Sequence, residues 1–378
     1  MAATRISLAA ACALASAASF SNAFAAPNVV TDIAAVHSIA SAVMTGVGEP
    51  TLILQPGTSP HGYAMKPSEA EALAGADLIF WIGHGLTPWL EQAIETIGAD
   101  AKAVAMMDAK GMRLLEFREG ATFEAHDHGD HEQDHAAKDD HAGHDHDDHD
   151  HGEHKHDDHD HAESKHDDHD HAGHKHGDHD HDEHKHDEHA HGDDGHDDHA
   201  HGAGEKDPHV WLDPANGRAM AAAIGAVLTE ADPANAALYA ANVAAFSAKM
   251  ESLEAELAPK LAPISGEPFV VFHDAYHYFE ARFDVEAVGA ISVSDAASPG
   301  PARIEEVRAL IETAGAACVF SEPQFNASLV DRLTEGTGAK TGVLDPHGVD
   351  AEIGVGLYPA LIRGLADDLI ACLDADPA

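Results

Sequence analysis

Residues 126–201 constrain this chain more than any other stretch, because they cannot contribute to a folded core. They hold 27 of the 34 histidines and half of the formal net charge of −46, and no apolar residue larger than alanine. Within them, residues 154–193 repeat a His, Asp and Lys pattern every ten residues. A segment without apolar side chains cannot offset the entropy cost of folding. We therefore predict a disordered His/Asp-rich insertion when no metal is bound.

On either side of this insertion, short apolar runs alternate with helical stretches. Candidate strands lie at 29–33, 51–54, 78–82 and 103–106 before it, and at 269–272, 285–288, 317–320 and 342–344 after it. Strands separated by helices predict an α/β fold with a mostly parallel sheet, flanked by helices, in each of two lobes. Apolar residues spaced three to five apart from Leu238 to Leu257 predict one long, rigid helix that joins the lobes. The expected organisation is a first lobe at 27–232 with the insertion inside it, a connecting helix at 233–262 and a second lobe at 263–378.

The first 26 residues have the pattern of a signal peptide. Arg5 precedes an apolar, alanine-rich run, and the sequence Ala23-Phe24-Ala25 fits a cleavage site. No later run approaches the length of a membrane span, so we expect a periplasmic protein without membrane insertion. Lipoprotein anchoring at Cys12 is not favoured, because alanine rather than leucine lies three residues before it. The acidic charge argues against nucleic acid and anionic lipid as partners and suits the attraction of cations.

Two cysteines, Cys318 and Cys372, remain after cleavage of the leader. They form either one disulfide that closes a loop of about 50 residues or two unrelated buried thiols, and an oxidising compartment favours the disulfide. Neither belongs to a C-x-x-C pair, so redox catalysis and thiolate zinc sites have no support.

Three of the seven histidines outside the insertion are placed to meet at one cleft. His61 lies in the loop after a predicted strand, and His273 directly follows another, as does Asp345. Ligands in open α/β sheets bind outside the carboxyl ends of the strands. His209 lies near the end of the first lobe, between two prolines and beside Trp211. Three imidazoles with a carboxylate or water suit tetrahedral Zn²⁺, although affinity alone would not exclude Ni²⁺, Cu²⁺ or Co²⁺.

The sequence around these residues resembles a known family. The motifs are P-G-T-S-P-H-G-Y-A-M-K-P-S around His61, D-P-H-V-W-L-D-P around His209 and V-V-F-H-D-A-Y-H-Y-F-E around His273, followed by F-S-E-P-Q-F at 320–325 and L-D-P at 344–346. Together they resemble the zinc-binding proteins of bacterial zinc-uptake ABC transporters, the ZnuA type. The resemblance implies His61, His209 and His273 as zinc ligands, with Asp345 or a water molecule as the fourth. It also implies a disulfide between Cys318 and Cys372, and delivery of zinc to an inner-membrane ABC permease by a monomer.

Three positions depart from the family pattern. Pro60 replaces a glutamate that some members carry, so no carboxylate is available immediately before His61. His277 stands where glycine is expected. If residues 275–283 are helical, His277 lies one turn from His273 and becomes a minor candidate ligand. His347 replaces a usual leucine and is interpreted as a rim residue. We interpret the remaining histidines, His37 and His84, as structural or surface residues.

Neutral imidazoles in the insertion bind Zn²⁺, Ni²⁺ and Cu²⁺. Because each binding event must order a flexible chain, its sites should be weaker than a folded one. We therefore predict a periplasmic zinc-binding protein whose insertion collects or senses metal. The alternatives are a periplasmic metal buffer without a transporter and, more remotely, a zinc hydrolase. Against the hydrolase, the sequence has no H-E-x-x-H or G-x-S-x-G motif, and no enzyme activity is expected.

Overall fold

The computed structural model describes residues 26–118, 123, 205–292 and 299–374. The predicted insertion at 126–201 and residues 1–25 of the predicted leader lie outside the described residues. Within the described part of the chain, no helix is long and apolar enough to span a membrane.

The first sheet has four parallel strands in the order β2-β1-β3-β4. The strands are β1 (Val29–Thr31), β2 (Thr51–Leu52), β3 (Leu78–Trp81) and β4 (Lys102–Ala105), and the helices between them are α1 (Ala34–Val43), α2 (Pro67–Ala74) and α3 (Pro88–Thr96). Strand β3 is buried along its whole length, as expected for a parallel strand that is covered by helices on both faces. A proline opens both α2 and α3, where its fixed φ suits the first helical turn.

The second sheet repeats this topology, with four parallel strands in the order β6-β5-β7-β8. The strands are β5 (Phe269–His273), β6 (Ala287–Ser292), β7 (Cys318–Ser321) and β8 (Lys340–Val343), and the helices are α6 (His277–Phe283), α7 (Pro301–Ala314), α8 (Ser328–Thr334) and α9 (Leu357–Leu373). In both sheets the chain reverses its direction of winding between the first and third strands. A ligand crevice is expected at the carboxyl ends of those strands.

Two helices, α4 (Pro214–Ala231) and α5 (Ala236–Leu261), connect the sheets. Helix α5 has 26 residues and is therefore about 39 Å long. It buries Tyr239, Phe246, Met250, Leu253, Leu257 and Leu261. Helix α5 packs against α1 of the first sheet and α9 of the second. The predicted long helix therefore exists, but Pro233 opens a 3₁₀ turn and the α-helix itself begins at Ala236.

Residues 207–213, which precede α4, are hydrogen-bonded to residues of the second half of the fold. The indole N–H of Trp211 donates to the carbonyl of Pro346 at 2.9 Å. The Tyr278 hydroxyl donates to the carbonyl of Asp207, and Arg282 forms two 2.7 Å bonds with the buried Asp213 carboxylate. This segment, which carries His209, is therefore held by hydrogen bonds to the second half of the fold.

The helix that follows this segment approaches α9 very closely. A Cβ atom built on Gly217 would lie 2.4 Å from the Tyr358 hydroxyl, which itself donates to the carbonyl of Trp211 at 2.8 Å. Only glycine leaves room for that tyrosine. The packing of α9 therefore depends on the absence of a side chain at position 217.

A disulfide joins Cys318 of β7 to Cys372 in the last turn of α9, as the resemblance implied. It closes a loop with a sequence separation of 54 residues. Both cysteines are buried. The bridge therefore ties the C-terminal helix to the centre of the second sheet.

We predict that the double variant Cys318→Ser/Cys372→Ser has a free energy of unfolding lower by about 2–4 kcal/mol, because the unfolded chain regains the entropy of an open loop. Denaturant unfolding followed by circular dichroism measures this. Dithiothreitol should destabilise the wild-type protein by a similar amount and leave the double variant unchanged. Equal stability of the oxidised wild type and the double variant would contradict a stabilising role.

Candidate metal centre

Three histidines from distant parts of the sequence meet between the two sheets. Each of His61, His209 and His273 offers one ring nitrogen, and the three nitrogens lie within 4.8 Å of one another. The Nε2 atoms of His61 and His209 are 3.4 Å apart. The rings of His209 and His273 are 5.3 Å apart, centre to centre. The structure thus brings together the three histidines of the predicted ligand set.

The spacing of these nitrogens suits a small tetrahedral ion. With Zn–N bonds of about 2.0–2.1 Å, two ligand nitrogens at the tetrahedral angle are separated by about 3.4 Å. The Nε2 atoms of His61 and His209 already have this separation. If another pair of ligand nitrogens lies at the 4.8 Å limit, it must come closer by about 1.4 Å to reach the same separation. The group can therefore hold Zn²⁺ with only small side-chain movements.

His209 is held from behind by a buried carboxylate. It is 3% exposed and directly precedes the 3₁₀ turn Val210–Leu212, and its Nδ1 lies 2.7 Å from Oδ1 of Asp207. The backbone N–H of His209 donates to the same oxygen. When Nδ1 donates to a carboxylate, the lone pair of Nε2 is free to bind a metal. Burial raises the pKa of the Asp207 carboxyl group to about 7. A cation bound to the His209 imidazole would favour the ionised form of that carboxyl group, so metal binding would release a proton from it.

His273 has the same arrangement on the other sheet. It is the last residue of β5 and is 2% exposed, and its Nδ1 lies 2.5 Å from Oε1 of Glu322. Glu322 follows β7 directly, so the pair lies at the point where the sheet reverses its winding. The side-chain amide of Gln324 donates to the other carboxylate oxygen at 2.6 Å. Glu322 is therefore held in place on both sides.

A cluster of buried charges lies behind these two histidines. The guanidinium of Arg118 donates to the carboxylates of Asp274 and Glu280, and its centre lies 3.8 Å from the ring of Phe123. Burial raises the pKa of Glu280, and the charge of Arg118 opposes that rise. Removal of Arg118 would leave two buried carboxylates without their cation, next to a proposed metal ligand.

His61 differs from the other two histidines. It lies in a loop between β2 and α2 and is half-buried, whereas His209 and His273 are buried. The loop begins beyond the carboxyl end of β2, as the sequence indicated. His61 therefore approaches the two buried imidazoles from the outer side of the cleft.

Asp345, the predicted fourth ligand, lies outside the group of three histidines. Its carboxylate accepts hydrogen bonds from the backbone N–H groups of His347, Gly348 and Val349. These bonds fold the chain into a tight turn two residues after β8. The choice between Asp345 and water as the fourth ligand therefore stays a prediction.

The premise that made His277 a candidate ligand is wrong. The helix predicted at 275–283 begins at His277, and His273 belongs to β5, so the two are not one helical turn apart. His347, interpreted as a rim residue, is 7% exposed and packs near Trp211. His37 is buried against the carbonyl of Pro50, and the exposed His84 contacts Glu91.

Sequence reasoning gave no role to Asp207, which pairs with His209, or to Arg118, which binds Asp274 next to His273. Asp207 had a usable signal, since an acidic residue two positions before a histidine can reach its Nδ1 through a short turn. Glu322 lies in the F-S-E-P-Q-F motif and directly follows a strand, but sequence reasoning assigned it no part in holding a ligand. Arg118 gave no signal, because its partners are more than 150 residues away.

Two similar sheets whose carboxyl ends meet around three imidazoles define a two-lobed binding protein with a candidate metal site. The family model for ZnuA, described as periplasmic component A of the zinc-uptake complex, matches residues 29–372. The chain belongs to this family. It is 48% identical over 345 residues to the high-affinity zinc uptake system protein ZnuA of Brucella abortus, covering 91% of each chain. It is 42% identical to the Paracoccus denitrificans protein of the same name, covering 93% of each.

Solved structures share the fold. A crystal structure of ZnuA superposes with a TM-score of 0.63 at 20% identity, covering 92% of this chain and 99% of the other. The periplasmic zinc-binding protein TroA of Treponema pallidum superposes with a TM-score of 0.64 at 18% identity, with the same coverage. Family membership identifies a component of a transport system rather than an enzyme, so the hydrolase alternative is not retained.

We predict that Glu322→Gln and Asp207→Asn each lower the zinc affinity of the centre by about 10–100-fold, because the imidazole loses the carboxylate that orients it. Competition with a fluorescent chelator, on protein that lacks residues 126–201, measures this. Glu256→Gln is a matched control, since Glu256 forms ion pairs with Lys260 and Arg363 away from the centre. Wild-type affinity in both carboxylate variants would show that these pairs do not support metal binding.

Proposed function

We propose that this protein captures Zn²⁺ between its two lobes with His61, His209 and His273 and delivers it to an inner-membrane ABC permease. Asp345 or water completes the coordination. The observation that carries the proposal is the convergence of three ring nitrogens within 4.8 Å, two of them on imidazoles backed by buried carboxylates. Zinc is favoured over hard ions, which prefer mainly oxygen ligands. Ni²⁺, Cu²⁺ and Co²⁺ would compete in vitro.

The same reasoning places the protein in the periplasm as a monomer that exchanges metal with its permease. The leader-like residues 1–26 support export, and the disulfide between Cys318 and Cys372 suits an oxidising compartment. The names of the Brucella abortus and Paracoccus denitrificans relatives, both zinc uptake system proteins, support a transporter partner over a free-standing metal buffer.

The insertion at 126–201 has a separate task in this proposal. Its 27 histidines, interleaved with carboxylates, collect several ions weakly and raise their local concentration near the cleft. Because the folded centre is already organised, it should take ions from the insertion. The insertion is thus a source for the centre rather than a competitor.

We predict that His209→Ala, in protein that lacks residues 126–201, lowers zinc affinity by more than about 100-fold. Loss of a ligand should exceed the 10–100-fold effect of losing its carboxylate partner. Isothermal titration calorimetry with a competing chelator measures this. His84→Ala removes an exposed histidine that pairs with Glu91 and is not among the proposed ligands, and this variant should bind zinc as the wild type does. If His209→Ala retains wild-type affinity, the assignment of the ligand is wrong.

We also predict that the full chain binds several zinc ions at pH 7.5, whereas the chain without residues 126–201 binds one. The additional ions should be lost between about pH 7 and pH 5.5, because imidazoles with an unperturbed pKa near 6.5 become protonated. Equilibrium dialysis with metal analysis at each pH gives the number of bound ions. A stoichiometry of one in both proteins would defeat the idea that the insertion collects metal.

A further inference from the structure

The loop that carries His61 is fastened to the first lobe on both sides of that residue. Residues 53–66 contain no helix or strand. Next to His61, a Cβ atom built on Gly62 would meet nothing within 4 Å. Packing around Gly62 therefore does not fix the position of His61. It must depend on the few contacts that hold the loop.

One of these contacts is made by Trp89 in the first turn of α3. Its indole N–H donates to the carbonyl of Pro60, the residue before His61, at 2.8 Å. Trp89 is half-buried, and Leu90 beside it is fully buried, so α3 is a fixed support. The peptide group that precedes His61 is thereby tied to a rigid element of the first lobe.

The second contact lies on the other side of His61. The ring of Tyr63 packs against Trp89 with a centroid distance of 5.3 Å, and its hydroxyl donates to the Glu69 carboxylate at 2.8 Å. Glu69 is buried and also accepts the backbone N–H of Lys66 at the start of α2. We call Trp89, Tyr63 and Glu69 the loop latch. It holds the loop at residues 60 and 63 and leaves His61 between two fixed points.

The three proposed ligands are thus supported unequally. His209 and His273 are buried and paired with carboxylates, so neither can leave the ion without breaking those bonds. His61 is half-buried on a loop, so an ion leaves the cleft most easily after His61 has moved away. The fraction of time that the loop spends away from the ion then depends on the strength of the latch.

We infer that Trp89 is a positioning residue that sets the rate of zinc release by holding His61 against the two buried imidazoles. This inference rests on the proposed function, in which His61 binds the ion. It does not place Trp89 in contact with the metal. The indole N–H acts through the Pro60 carbonyl, so its effect should vanish when His61 is absent.

The test is a set of stopped-flow measurements on the full mature chain, loaded with one equivalent of Zn²⁺ and mixed with excess EDTA. The slow phase is assigned to the centre by its loss in His209→Ala. Trp89→Phe keeps a ring against Tyr63 but removes the donor to Pro60. It should release zinc about five-fold faster, which is the factor expected for one ordinary hydrogen bond. Tyr63→Phe, which loses the bond to Glu69, should act in the same direction.

The matched control is Tyr239→Phe, which like Tyr63→Phe removes a hydroxyl that donates to a carboxylate, here that of Asp232, but lies in α5, and it should leave the release rate unchanged. The decisive comparison repeats Trp89→Phe in a His61→Ala background, where release should change by less than about 1.5-fold. Such a double-mutant cycle isolates the coupling between the two residues.

Three other results of these release measurements would each lead to a single conclusion. An unchanged release rate in both Trp89→Phe and Tyr63→Phe overturns the inference. Equal acceleration by Trp89→Phe with and without His61 also overturns it, because Trp89 would then act on general stability. If His61→Ala alone releases zinc as the wild type does, the proposed ligand set fails instead. The cycle therefore separates failure of the latch from failure of the function.

Discussion

The hydrogen bond between a buried imidazole and a buried carboxylate is the interaction on which the metal centre depends. It occurs once on each side of the cleft, between His209 and Asp207 and between His273 and Glu322. Each carboxylate fixes the ring orientation and the tautomer, so that Nε2 rather than Nδ1 faces the cleft. Burying two carboxylates is unfavourable in free energy, and a cation bound nearby would offset that cost. The site is therefore electrostatically prepared for a metal before one binds.

The two halves of the fold contribute unequally to this preparation. The segment that carries His209 is bound to Pro346, Tyr278 and Arg282 of the second half, and His273 ends a strand of that half. These two histidines form one rigid pair, although the chain separates them by more than 60 residues. His61, on its loop, is the ligand that can change its distance from the pair. In the proposed function, capture and release of an ion would then require movement of this loop rather than of a whole lobe.

The sequence predicted the α/β class, the long helix and the convergence of the three histidines, because each can be inferred from local patterns. Continuous apolar runs such as Leu78–Trp81 indicate buried parallel strands, and a ligand directly after a strand lies at the open end of a sheet. The order of the strands, and the partners Arg118, Asp274 and Glu280, depend on contacts between distant residues, which no local pattern encodes. The helix predicted at 275–283 was too long at its start, because β5 extends to His273 and the backbone turns before His277. That small difference removes the helical-turn argument for His277, and its minor place among the candidate ligands stays a prediction.

The contrast between the insertion and the folded centre follows from the same physics. In the centre, hydrogen bonds within the folded chain have already oriented His209 and His273, so binding an ion requires little further ordering. In the insertion, an ion must gather side chains from a segment with no apolar residue larger than alanine. In the proposed function, the sites of the insertion are therefore numerous but individually weak. A chain that combines both can collect cations widely and keep one tightly, provided that His61 can let that ion go.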